Sequence, residues 1–407
     1  MAALVLAVPF SMTVRAVDEA TRWRLLDYGP EGARALTAAL TATSLTFIVF
    51  LFSALLIALQ VASAQLSPRV IARGLRNQPT RVCLGLFVFT FLFGIAVGGR
   101  LESSVGQLRL LLVIVFNLLS IGAFLYLVAY LGDYLRPISV LTSVGRDGTV
   151  VIERVYPLRL SDRPGGTGEV DRRPAGTAAL EVEHTGDSGV VRAFDVHGLV
   201  GLAERGGCVI ELVPQVGDFV AKGDALFRVY GAAAGLELRR LRESVALGPE
   251  RTVEQDPAFA FRIIVDIGSK ALSPAINDAT TAVLAIDQLH HLLRKLGLRR
   301  LDTGVVRDRQ GRMRLLYRTP DWEDFVWLAV TELRHHGAGQ IQVMRRLRAM
   351  LENLIAGLPR ERAEVLATEL ALVARAAMRS FPEPEDQARA AQPDSLGVGG
   401  HRQEASG

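Results

Sequence analysis

The sequence predicts an α-helical transmembrane module, then a small β module, then an α-helical C-terminal domain. Three observations predict this. Stretches of 34, 18 and 23 residues without a charged side chain lie between Arg34 and Arg69, Arg81 and Arg100, and Arg109 and Asp133. From Thr149 to Val229, short β-branched runs alternate with glycine-containing turns. From Asp256 onward, apolar residues recur at helical spacing between recognisable caps. The expected boundaries are 1–132 for the membrane module, 133–235 for a β-rich module with a loop at 161–189, 236–380 for the helical domain and 381–407 for a disordered tail.

A helix rises about 1.5 Å per residue and a bilayer core is about 30 Å thick, so each uncharged stretch spans or nearly spans it. Backbone amides in hydrocarbon must be satisfied within the segment, which makes these stretches helices, at about 43–62, 82–99 and 110–131. Met1 to Val14 is also apolar and uncharged but contains Pro9, and as a helix it covers only about 21 Å. No basic residues precede it, so it is not a secretory signal. It reads either as the end of a clipped fourth membrane helix or as a shallow interfacial segment.

Charge sets the orientation. The loop Leu66 to Arg81 carries Arg69, Arg73, Arg76 and Arg81 and no acid, which places it in the cytoplasm by the positive-inside rule. The Gly99–Gly106 loop then lies outside, and everything after Asp133 is cytoplasmic. The expectation is a multi-pass protein of the cell inner membrane, with the lipid bilayer as its partner. Composition agrees: half the residues are hydrophobic and the mean hydropathy is +0.27. Lys occurs only at 222, 270 and 295, and no basic block is interleaved with aromatics, so no nucleic-acid partner is expected. Cys83 and Cys208 have no metal-ligand spacing.

Within the second span Gly94 and Gly98 stand four apart, a close-packing signature. In the third, Asn117 and Ser120 share a face, either lining a pore or hydrogen-bonding a neighbouring helix. No Asp, Glu, Lys or Arg lies within a span, so a proton relay or a tight intramembrane ion site is not supported.

In the β module, Thr149–Tyr156, Leu180–Glu183, Val190–Asp195 and Cys208–Val213 read as strands, with a short helix at Val196–Glu204. The Gly165–Gly168 cluster does not lead from a strand into a helix and is a weak signal for a phosphate cradle. In Val216–Val229 two Gly-Asp pairs form turns between short apolar strands. That stretch resembles barrel-sandwich modules of the biotinyl and lipoyl type. No lysine-bearing hairpin follows Val229, so the resemblance implies no carrier function.

Asp256-Pro257 is an N-cap with proline at N1, opening a helix to about Leu272. Ser273-Pro274 interrupts it, and Asn277-Asp278 caps a helix over Ala279–Leu296. Further helices are expected at Trp322–His335, Gln340–Leu358 and Arg360–Arg379, with Pro382–Gly407 disordered on composition. Asp256, Asp266, Ser273, Asn277, Asp278 and Asp287 make a concentrated polar set on otherwise apolar helices. Such a set binds a ligand or cation, or it caps helices and pairs locally, Asp266 with Lys270 for example. His290-His291 and His335-His336 are sequence neighbours, which on a helix point about 100° apart and do not chelate together. No nucleophile elbow, zinc-protease motif or P-loop occurs. No enzyme, metal or cofactor is indicated.

The stretch Lys270-Ala-Leu-Ser-Pro-Ala-Ile-Asn-Asp278, with Gln255-Asp256, Ile264-Val-Asp-Ile267 and Asp287 around it, resembles a hallmark of a bacterial predicted-membrane-protein family, domain of unknown function 2254. Ala62–Arg69 and Val216–Phe219 resemble the family as well, and the likeness runs from about Gly29 to Arg379. Position 279 is Ala where the family often has Pro. The resemblance implies the architecture above and a full membrane helix at the start, of which Met1–Val14 would be the remnant. It implies no activity. The functional expectation is a homo-oligomeric channel or transport-related protein with a cytoplasmic regulatory domain, since three or four helices per chain enclose no wide path alone. The alternative is a membrane-anchored ligand sensor or scaffold, and a membrane-bound enzyme ranks third.

Overall fold

The computed structural model describes residues 2–21, 28–65, 78–99, 107–134, 136–162, 177–233, 235–301 and 304–394. It forms two compact units, Met1–Val140 and Leu141–Gly407.

The first unit contains α1 (Ala2–Thr21), α2 (Pro30–Gln65), α3 (Gln78–Gly98) and α4 (Gln107–Tyr134). Three helices are long and apolar enough to cross a membrane: Pro30–Ile57 within α2, Gln78–Gly98, and Gln107–Tyr130 within α4. Helix α1 extends past the apolar run that ends at Val14. Inside the bundle, Leu51, Cys83, Phe87 and Leu127 form one cluster and Phe93, Val97 and Val113 another. Phe10 of α1 packs on Phe89, Phe93 and Phe116 at ring-centroid distances of 5.7–6.1 Å. Outside, Val49, Phe52, Leu56, Val82, Leu118 and Leu125 are each about half exposed or more. Water would penalise so continuous an apolar surface; hydrocarbon does not.

The second unit begins within α5 (Pro137–Val155), where the β-branched run predicted a strand at Thr149–Tyr156. The helix wins because Val144, Gly148, Val151 and Ile152 are buried on one helical face. A Cβ at Gly148 would lie 2.9 Å from Ala260 and 3.2 Å from Leu292, so glycine permits the close crossing.

The β strands are β1 (Leu180–Glu183), β2 (Gly189–Phe194), β3 (Cys208–Leu212), β4 (Phe219–Val220), β5 (Ala225–Gly231), β6 (Val245–Gly248), β7 (Val305–Arg307) and β8 (Met313–Tyr317). One sheet has the order β1-β5-β3-β8-β7, antiparallel except for β3–β8. The other is antiparallel, β4-β2-β6. Between them, with α6 (Val196–Gly206), lies a shared core of Val191, Leu199, Ile210, Phe227 and Leu315. The barrel-sandwich expectation is therefore corrected: no closed barrel forms among the described residues. The edge of β3 that would close one is taken by β8, a strand about a hundred residues later. Pairings β2–β6 and β3–β8 also cross the boundary expected at 235/236. The Gly-Asp pairs do make turns: Gly217 and Gly223 have φ of +96° and +94°, and Asp218 and Asp224 accept from the amides of Gln215 and Ala221.

The short helix α7 (Leu238–Glu243) precedes β6. The helical layer comprises α8 (Pro257–Ala271), α9 (Ala279–Gly297), α10 (Trp322–His336), α11 (Ile341–Gly357), α12 (Ala363–Ser380) and α13 (Pro384–Ala390). Helix α13 lies in the stretch expected to be disordered. It begins with proline at N1 and acidic residues in the first turn, and the chain stays bonded to α11 through Asp394 N–H to Arg345 C=O at 3.2 Å. Residues 395–407 lie outside the described residues, as do the Leu66–Arg76 part of the Arg-bearing loop and the Gly165–Gly168 cluster.

Candidate functional site

In the bundle, Asn117 and Ser120 face inward and are bonded. Asn117 Oδ1 accepts from Ser44 Oγ of α2 at 3.1 Å, and its Nδ2 donates to Val113 C=O at 2.9 Å. Ser120 Oγ and Thr90 Oγ1 of α3 are 3.1 Å apart. Both residues thus tie α4 to its neighbours within one chain, and neither faces a lumen there. Gly94 lies against Thr41 of α2, where a Cβ would meet Oγ1 at 2.2 Å; at Gly98 the nearest atom is Thr37 Cγ2 at 3.6 Å.

The acidic set does not converge. Asp256 caps α8, accepting from Phe259 N–H at 3.0 Å, and pairs with Arg251 at 2.7 Å. Burial pushes its carboxyl above the usual range, against the pull of Arg251. Asp278 caps α9, accepting from the amide and hydroxyl of Thr281 at 3.0 and 2.6 Å. Ser273 C=O accepts from the Ile276 and Asn277 amides in the tight connection between α8 and α9. Asn277 adopts φ of +52° and accepts from Gln340, the N-cap residue of α11, at 2.8 Å. Asp266 is bonded by Arg262 one turn earlier, whose guanidinium also grips Glu332 of α10. Asp287 pairs with Arg346 of α11. The chemistry of these contacts is capping and helix-to-helix tethering. His290 bonds Asn353 at 2.9 Å, and burial, with Arg346 and Arg294 nearby, holds its imidazole below the ordinary value. His291, His335 and His336 are not drawn together with it, and no group of three metal-binding side chains exists among the described residues.

What the fold does assemble is a cleft of about 460 Å³ between the sheets and the helical layer. Arg154 reaches it from the last turn of α5. Arg300 is set there by backbone pairing: Leu160 N–H donates to Leu298 C=O, and Arg300 N–H to Leu158 C=O. Arg318 follows directly on β8, and His197 sits in the first turn of α6 behind the Asp195 cap. Aromatic walls come from Tyr156 and from the Phe194–Tyr317 pair, centroids 5.0 Å apart. Gln215, Gln255 and Thr319 add neutral hydrogen-bonding groups, and Tyr156 Oη contacts Thr319 Oγ1 at 3.2 Å. The sole acid lining this cleft among the described residues is Asp256, already held by Arg251. A second hollow of about 730 Å³ shares Gln215, Arg300, Tyr317, Arg318 and Thr319 with it.

Of the candidate site residues drawn from the sequence, only Asp256 reaches the cleft. The arginines were missed because they stand on three segments up to 164 positions apart. The nearest local signal was the first Gly-Asp turn, in which Asp218 accepts from the Gln215 amide.

Residues 1–353 match the model of the family described as predicted membrane protein (DUF2254). An uncharacterised protein of Mycobacterium bovis and one of Mycobacterium tuberculosis strain H37Rv are each 29% identical to this chain over 373 residues, 88% of this chain and 71% of theirs. A third, from M. tuberculosis strain CDC 1551, is 28% identical over the same length. No solved structure matches. With most of its length matched, and with three helices able to cross a bilayer, the chain belongs to the DUF2254 family of predicted membrane proteins.

Proposed function

We propose that this protein is a membrane-anchored ligand-binding protein, a sensor whose soluble unit takes a small molecule between its sheets and helices. The observation that carries the reading is the cleft: concave, aromatic-walled, provided with neutral hydrogen-bonding groups and of ligand-sized volume. The bundle supports it from the other side. Its interior is filled by side chains, and Asn117 and Ser120 are spent on contacts between helices. A single chain is thus suited to anchoring rather than conducting. The four arginines of Leu66–Arg81 support a cytoplasmic soluble unit on an inner membrane.

The test is thermal unfolding of the full chain in detergent against a panel of metabolites, wild type beside Thr319→Trp, which fills the cleft. A ligand at a hundred times its Kd stabilises by about 2.7 kcal/mol. The reading expects such a shift in wild type and none in the variant. Equal shifts in both, or no shift with any compound, would count against it.

One observation favours a second reading, the homo-oligomer. Thr43, Thr46 and Ser53 form an outward stripe on α2, each hydroxyl turned back onto a carbonyl four residues earlier. Such a stripe suits helix–helix contact with another copy, and conduction would need that assembly. Disulfide cross-linking of Thr46→Cys in membranes tests it; a monomer-only result removes it.

A further inference from the structure

We infer that the cleft binds a nucleotide-class ligand, a flat ring carrying phosphate groups. The inference rests on the ligand-binding reading above and deepens it. Among the described residues no acidic side chain pairs with Arg154, Arg300 or Arg318, although elsewhere the unit pairs its arginines freely, as in Arg251–Asp256, Arg262–Glu332 and Arg346–Asp287. Three guanidinium groups lining one cleft, none paired with a carboxylate, favour an anion with two or more charges. Phosphate esters supply that charge density, and guanidinium forks match their oxygens.

An inorganic ion would leave most of 460 Å³ unfilled, and apart from His197 and Asp256, the latter held by Arg251, the rest of the lining is neutral. Phe194 and Tyr317 offer ring faces and edges to a planar group. Gln255 is fixed by accepting from Phe194 N–H at 3.2 Å, which leaves its side-chain amide N–H groups as donors. Gln215 and Thr319 also line the cleft and add further hydrogen-bonding groups for a ring. The second hollow shares Arg300 and Arg318 but is lined also by Asp321, Asp324 and Glu361, so the phosphates belong within the cleft rather than in that hollow.

The experiment is calorimetric titration of the full chain in phosphatidylcholine nanodiscs with ATP, AMP, pyrophosphate and adenosine. The expected result is binding of ATP or AMP that weakens about tenfold or more in Arg300→Ala and in Arg318→Ala, the loss of one charge-assisted bond each. Arg318 is exposed, so its variant keeps the fold, and Arg379→Ala, on the outer face of α12, should bind as wild type does. Adenosine should bind at least tenfold more weakly than AMP. No binding of ATP, AMP or pyrophosphate, or nucleotide binding indifferent to both cleft arginines, overturns the inference. So does pyrophosphate binding as tightly as ATP, which would remove the ring. Adenosine binding as tightly as ATP and lost in Thr319→Trp overturns the phosphate assignment while leaving the ligand-binding reading intact. Ligand binding that survives Thr319→Trp overturns both.

Discussion

Gly94→Ala should weaken the membrane bundle, and Thr41→Ala should restore it. A methyl group at Gly94 would sit 2.2 Å from Thr41 Oγ1 and 3.2 Å from Thr41 Cβ. Thr41 cannot simply turn away. Its hydroxyl donates to Thr37 C=O at 2.7 Å, and the other helical rotamer only exchanges the hydroxyl for the γ-methyl. Helices α2 and α3 must then separate, and overpacking of this kind costs about 1–3 kcal/mol. Alanine's better helix propensity returns up to about 1 kcal/mol. The net expected loss is about 1 kcal/mol. With Thr41→Ala the 2.2 Å clash is gone, and the remaining Cβ contact relaxes by a few tenths of an ångström. In that background Gly94→Ala should be neutral or stabilising. The assay is SDS-induced unfolding of the full chain in mixed micelles, run on wild type, both single variants and the double variant. A coupling of about 1–2 kcal/mol is expected. Coupling under about 0.3 kcal/mol would refute the placement of Gly94 on Thr41.

Three further outcomes follow from the soluble unit. Asp278→Ala should cost about 1 kcal/mol in denaturant unfolding, the value of an N-cap, and should leave nucleotide binding unchanged because Asp278 lies outside the cleft. Burial, with Arg346 and Arg294, depresses the His290 imidazole, so the unfolded chain takes up its proton first. Stability should therefore fall as pH drops through about 6.5, and His290→Gln should flatten that slope in urea titrations between about pH 8 and about pH 5.5. At Asp308 burial opposes ionisation, but bonds from the Arg312 amide, Arg314, the Arg312 side chain and the Gln310 amide outweigh it and hold the carboxyl at about 2. Its contribution is complete above the ordinary 3.8 and is lost as pH falls from there towards 2, so Asp308→Asn should show a flatter acid limb in thermal melts.

What could be read from the chain was local. The charge-free runs between Arg34 and Asp133 became three helices able to span a bilayer, because backbone satisfaction in hydrocarbon leaves no alternative. Asp256-Pro257 and Asp278 cap as their side chains dictate, and Gly217-Asp218 and Gly223-Asp224 turn as theirs do. What failed depended on partners distant in sequence. Val150-Val-Ile152 looked like a strand until Gly148 met Ala260 and Leu292 across a helix crossing. Strands β6, β7 and β8 are three to five residues long and acquire meaning only by pairing with β2, β3 and each other. The barrel-sandwich likeness at Val216–Val229 could not foresee that β8 would occupy the edge of β3. The cleft was invisible for the same reason, since Arg154, His197, Arg300 and Arg318 belong to no motif and meet only once α5, α6 and β8 are in place.

The most direct measurement on the bundle is electron paramagnetic resonance of single spin labels placed in turn at positions 117 to 125 of α4 in proteoliposomes, reading collisions with oxygen and with a water-soluble nickel chelate. Sites 118, 119, 121, 122 and 125, which face outward, should be open to oxygen and closed to nickel. Sites 117 and 120, buried against Ser44 and Thr90, should be closed to both. Nickel maxima at 117 and 120 would mean a water-filled path along α4 and would contradict the solid anchor on which this account rests.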